Sequence, residues 1–92
     1  MNKQLLIENL EKKTNMILYF NSGGCGPCIQ AKPYVNKITE SKPDYLFADI
    51  KVGSEDSIEL EKFCNVEFYP TLVIIENNKI DRYVGINEIK TL

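Results

Sequence analysis

The strongest constraint in this chain is the passage from a strand into a helix just after residue 20. Met16-Ile17-Leu18-Tyr19-Phe20 is a continuous apolar run that stops at Asn21-Ser22-Gly23-Gly24. A short run without polar alternation reads as a strand covered on both faces. Directly after Gly24, the residues Cys28, Ala31, Val35 and Ile38 recur at helical spacing, and Ser41-Lys42-Pro43-Asp44 ends the stripe. A strand that needs cover on both faces and feeds a helix at once predicts an α/β layering.

The remaining elements fit around that unit. Residues 3–13 read as a helix, with Leu6 and Leu10 four apart. Residues 45–52 form a second strand. A helix runs from Ser54, a candidate N-cap, to Asn65, with Ile58, Leu60 and Phe63 as its apolar residues. Thr71–Ile75 is a third strand, Glu76-Asn77-Asn78-Lys79 a hairpin turn and Ile80–Val84 a fourth strand. Gly85 then opens a short helix over residues 87–92. The first two strands are joined by a helical crossover and should be parallel, whereas the last two should be antiparallel. The expectation is a mixed four-stranded sheet with helices on both faces, in the order αβαβαββα. Residues 45–52 become an edge strand, with Lys51 as a guard against edge pairing.

Ninety-two residues make one domain, residues 1–92, burying roughly 60–65% of the unfolded chain's surface. The net charge is −2, and the basic residues are ten lysines and one arginine, so a nucleic-acid footprint is missing. Histidine is absent, which removes Cys–His nucleophile pairs, imidazole acid–base catalysis and most catalytic zinc sites. No apolar run reaches the ~18 residues of a membrane span. The N-terminal apolar stretch breaks at Glu8, unlike a signal peptide. A reducing, cytoplasmic setting is therefore expected, in which structural disulfides are rare.

Against that background stands Cys25-Gly26-Pro27-Cys28. At the first turn of a helix the backbone N–H groups are unpaired and the macrodipole is positive, so a thiolate there is stabilised. The second thiol lies one turn away and can close a disulfide with it. Pro27 suits a helix start, where its missing N–H has no partner. Cys25, nearer the open end, is expected to attack, and Cys28 to resolve. The competing readings are half a zinc site and a structural disulfide. The first needs two further ligands, and only Cys64 remains among cysteines. Cys64 itself reads as a small packed side chain or, alternatively, a regulatory thiol. Asp49 and Lys51 read as a solvated charge pair.

With these residues in view the chain resembles the thioredoxin family. Cys25-Gly26-Pro27-Cys28 has that family's active-site sequence, and Pro33 matches its helix-kinking proline. Tyr69-Pro70-Thr71 stands where the family has its cis-proline, and Gly85 where it has a glycine after the last strand. The resemblance implies a thioredoxin-like fold and a protein dithiol–disulfide oxidoreductase that needs no organic cofactor and no metal. It implies a shallow groove around Cys25 built from Gly24, Gly26, Pro27, Tyr69, Pro70, Gly85 and Ile86. The implied partners are protein disulfides and a thioredoxin-reductase-type flavoprotein, with the chain acting as a monomer and binding neither nucleic acid nor membrane.

The departures from the family are as informative. Its first strand is missing. The tryptophan before the motif is Gly24, which leaves less apolar surface beside Cys25 and favours a dedicated partner over general disulfides. The buried aspartate thought to help move the resolving thiol's proton falls at Tyr19, which cannot accept a proton near pH 7. Deprotonation of Cys28 would then lean on water or on the departing substrate thiolate. The chief alternative is a glutathione-dependent glutaredoxin, favoured by size and disfavoured by the motif. A binding module without a redox cycle is the other alternative.

Overall fold

The computed structural model describes residues 3–53 and 55–92. Its elements are α1 (Lys3–Lys12), β1 (Met16–Asn21), α2 (Gly26–Ser41), β2 (Leu46–Lys51), α3 (Glu55–Cys64), β3 (Thr71–Glu76), β4 (Lys79–Val84) and α4 (Gly85–Ile89). The order is the expected αβαβαββα. The cap expected at Ser54 lies outside the described residues.

The sheet runs β2-β1-β3-β4. β1 and β2 are parallel, with Tyr19 opposite Asp49. β3 is antiparallel to both β1 and β4. β1 is therefore interior, which explains why all six of its residues are buried. Its alternation divides the core. Met16, Leu18 and Phe20 pack with Leu6 and Leu10 of α1 and Leu60 and Cys64 of α3. Ile17 and Tyr19 pack on the other face with Ala31 and Val35 of α2 and Ile89 of α4. Burying each large apolar side chain contributes about 1.5–3 kcal/mol. Truncating the fully buried Phe20 to alanine would cost about 3–5 kcal/mol.

Local chemistry fixes the boundaries. Asn77 and Asn78 sit at φ 53° and 67°, the pair of left-handed residues that a two-residue hairpin turn requires. α3 closes on Asn65 at φ 59°, where the Asn65 N–H donates to Lys62 O and the Val66 N–H to Glu61 O. That reciprocal pattern satisfies the last helical carbonyls. The inward stripe of α3 is Ser57, Leu60 and Cys64. Ile58 and Phe63, the other apolar residues of this helix, are 55% and 45% exposed, because they lie off that stripe.

Candidate functional site

β1 delivers the chain to the head of α2 through Ser22-Gly23-Gly24. Gly24 holds φ +75°, a left-handed turn that a residue with a Cβ adopts only with strain. Cys25 is the N-cap of α2 in extended conformation, and its Sγ accepts from the Cys28 N–H at 3.1 Å. The sulfur thus occupies the place of a capping oxygen, at the positive end of a sixteen-residue helix. Gly26 opens the helix and Pro27 follows it within the first turn. Cys25 and Cys28 are joined as a disulfide with Cα atoms 5.2 Å apart. Cys25 is half-buried, whereas Cys28 is 5% exposed.

Beneath Cys28 lies a polar cluster. The Tyr19 hydroxyl, fully buried, donates to the Cys28 carbonyl at 2.6 Å. Burial, and then the charge of Asp49, push the Tyr19 phenol up to about 12. Tyr19 is therefore a protonated donor throughout the physiological range. Asp49, its register partner on β2, accepts from Asn21 Nδ2 at 2.6 Å and from Lys32 Nζ at 2.7 Å. Burial works to raise the Asp49 carboxyl. The hydrogen bonds from Lys32 and Asn21, with the charges of Lys32 and Lys51, outweigh it and hold the group below its ordinary value. The Lys32 ammonium also lies 5.4 Å from the centre of the Tyr19 ring and 5.5 Å from that of Phe47. This corrects the sequence expectation. The principal ion-pair partner of Asp49 is Lys32 on α2, and Lys51 only adds to its field.

A cavity of about 320 Å³ opens here, with Tyr19, Gly24, Cys28, Lys32 and Asp49 in its wall. A hollow of about 360 Å³ lies at the far end of α2 between Lys42 and Glu76, but it holds neither cysteine. Size is a poorer guide to the chemistry than the residues in the wall.

The other expected site residues divide into groups. The Tyr69–Pro70 peptide is cis, and Pro70 O accepts from the Gly85 N–H at 2.8 Å, so those two positions meet. Ile86 packs against the cluster formed with α2 and α4. The Tyr69 ring packs on the opposite side, with the α1 and α3 cluster, and its hydroxyl donates to Glu61. Two apolar residues escaped the sequence reading. Ile29, directly after Cys28 and in the cavity wall, is 70% exposed, and Phe68, directly before Tyr69, is 64% exposed. Ile29 was detectable as an apolar residue outside the helical stripe of Cys28, Ala31 and Val35. Lys32 gave no signal, because its partner is seventeen positions away in sequence.

Comparisons with known proteins agree with this geometry. The Thioredoxin family model matches residues 1–92. Thioredoxin from Ophiophagus hannah is 32% identical over 76 residues, covering 82% of this chain and 70% of that relative. Thioredoxin from Mycoplasma genitalium is 32% identical over 72 residues, covering 78% of this chain and 69% of the relative. The crystal structure of oxidised thioredoxin O2 from Arabidopsis thaliana superposes with a TM-score of 0.79 at 19% identity, covering 98% of this chain and 83% of the other. That last likeness speaks to the fold alone. These matches do not favour the glutaredoxin alternative. With its redox-motif cysteines paired at the head of α2, this chain belongs to the thioredoxin family and is a dithiol–disulfide oxidoreductase.

Proposed function

We propose that Cys25 is the attacking nucleophile of this oxidoreductase and Cys28 its resolving thiol. The observation that carries the assignment is the asymmetry at the head of α2. Cys25 is the half-buried N-cap whose sulfur accepts a backbone hydrogen bond, and Cys28 is 5% exposed one turn further in. A helix N-terminus lowers a thiol's pKa, and access decides which sulfur meets a substrate first. In the reductive direction Cys25 attacks a protein disulfide, forming a mixed disulfide and releasing one substrate thiolate. Cys28 then attacks Cys25, and the second substrate thiolate leaves. The substrate disulfide gains two electrons and the Cys25–Cys28 pair loses them.

Gly24, Gly26, Pro27, Pro70, Gly85 and Ile86 form the substrate groove in this reading, with Tyr69 in a supporting place. The tie from Tyr69 to Glu61 favours that division of labour. Ile29 adds exposed apolar surface where the family's tryptophan is replaced by Gly24. Residues 1–92 act as one monomeric domain. The electron donor is a thioredoxin-reductase-type flavoprotein, and the setting is cytoplasmic, where such a donor keeps the pair reduced.

A Cys28→Ser variant tests the roles. It should accumulate mixed disulfides on Cys25 with protein substrates, separable by non-reducing electrophoresis. A Cys25→Ser variant should accumulate none. The reverse pattern would exchange the two roles. Insulin reduction coupled to a flavoprotein reductase, compared with reduction by glutathione, tests the donor.

A further inference from the structure

Resolution requires the Cys28 thiol, 5% exposed, to lose its proton and carry negative charge inside the protein. A buried thiolate is costly unless its surroundings compensate the charge. The polar and charged groups around Cys28 come from three elements. β1 presents the Tyr19 hydroxyl, committed to the Cys28 carbonyl, and the Asn21 amide. β2 presents Asp49 and Lys51, and α2 presents Lys32 together with Cys25 at its head. The residues lining the cavity at Cys28 therefore include two lysines and one aspartate.

Of these, Lys32 is placed most directly. It follows Cys28 by four residues on α2, and positions four apart are neighbours on one helical face. Its ammonium is moored by Asp49 at 2.7 Å and held over the Tyr19 ring, while Tyr19 in turn touches Cys28. An ammonium has three donors, so the bond to Asp49 leaves two N–H groups for cavity water. Asp49 is ill suited to receive the proton itself, because Lys32 and Asn21 stabilise its ionised form.

We propose that Lys32 is a positioning residue for the resolving step, its ammonium favouring the Cys28 thiolate while Asp49 holds it in place and attenuates its charge. The inference rests on Cys25 attacking and Cys28 resolving. The Cys28 thiol gives its proton to cavity water and so to solvent. Its sulfur forms a bond to Cys25 as the bond from Cys25 to the substrate sulfur breaks. The substrate sulfur leaves with the electron pair and takes a proton from solvent.

The test uses the reduced full chain and an aromatic disulfide whose thiolate is coloured, in stopped flow. The first release of colour reports attack by Cys25, and the second reports resolution by Cys28. Lys32→Met should slow the second phase about three- to tenfold at pH 7 and raise its pH midpoint by about half to one unit, without a matching change in the first. Lys32→Arg should stay near the native rate. Asp49→Asn should speed the second phase and lower its midpoint, because it removes the attenuating charge. Salt at ~1 M should shrink all of these differences, since the pair is partly exposed. The proposal is overturned if Lys32→Met resolves as fast as the native chain. It is equally overturned if Asp49→Asn slows resolution in a Lys32→Met background as well, since the carboxylate would then act without the ammonium, as the proton acceptor. Failure of the underlying roles shows separately, as alkylation of Cys28 ahead of Cys25 in the native reduced chain, and would remove the proposal with them.

Discussion

Cys28 and Cys64 are both buried helix residues, 5% and 1% exposed, on opposite faces of the same sheet. They share depth and differ in company. Cys64 ends α3 inside an apolar cluster with Leu10, Phe20 and Leu60. Burial pushes its thiol up to about 11, and the charge of Arg82 only partly opposes this. Cys28 lies one turn inside a helix N-terminus, above a hydroxyl and beside an ammonium–carboxylate pair. Burial alone makes a cysteine a packed side chain. Burial next to oriented donors and charge makes a thiol that can form a thiolate when a reaction calls for it.

The largest expected contrast is in reactivity. Limited alkylation of the reduced native chain near pH 7, followed by peptide mapping, should label Cys25 first. Cys64 should react at least ~100-fold more slowly and catch up only in denaturant, because the thiolate is the reactive form. Labelling of native Cys64 at a rate close to that of Cys25 would break the comparison.

Next comes the cost of polarity on the Cys64 side. Cys64→Ser puts a hydroxyl among apolar side chains and should destabilise the fold by about 1–3 kcal/mol, read from urea unfolding. Turnover per folded molecule should not change. A loss of turnover at full folding would give Cys64 the regulatory role.

A smaller effect is expected opposite. Tyr19→Phe removes the hydroxyl bonded to the Cys28 carbonyl, yet keeps the ring packed with Ala31 and Val35. A loss of about 1 kcal/mol is expected. An unchanged urea midpoint would show that this hydrogen bond does not anchor α2.

The smallest concerns acid. The folded-state pKa of Asp49 lies below its ordinary value of 3.8, so the group's stabilising contribution is complete above that pH and is lost as pH falls through the folded value. The side chains of the pair are 39% and 35% exposed, which limits the contribution to about 0.5 kcal/mol or less. Asp49→Asn should flatten that part of the acid limb of a stability–pH curve. An identical acid limb in both proteins would show that the Lys32–Asp49 pair adds no stability.

The redox motif was legible because its signals are local. The apolar run of β1, the glycines after it, and the spacing of Cys28, Ala31 and Val35 each constrain neighbours a few residues apart. The Asn77-Asn78 turn was legible for the same reason, since a two-residue hairpin needs left-handed residues. α3 was legible as a helix, but its facing was not. Residue type marks Ile58, Leu60 and Phe63 alike as apolar, and only the docking of Leu60 and Cys64 against β1 and β3 decided that Ile58 and Phe63 face outward. Asp49 shows the limit most clearly. In sequence its nearest cation is Lys51, two positions away on its own strand.

The sequence by itself determined the element order, the α/β layering and the pairing of Cys25 with Cys28, because each depends on periodicity or on a contact within one helical turn. Only the tertiary structure decided what surrounds Cys28. The parallel register that sets Tyr19 against Asp49, and the packing of α2 across β1 and β2, bring Tyr19, Lys32 and Asp49 to one cavity. Those contacts join residues nine to thirty positions apart, and a chain carries no local mark of a partner that only the sheet's geometry supplies.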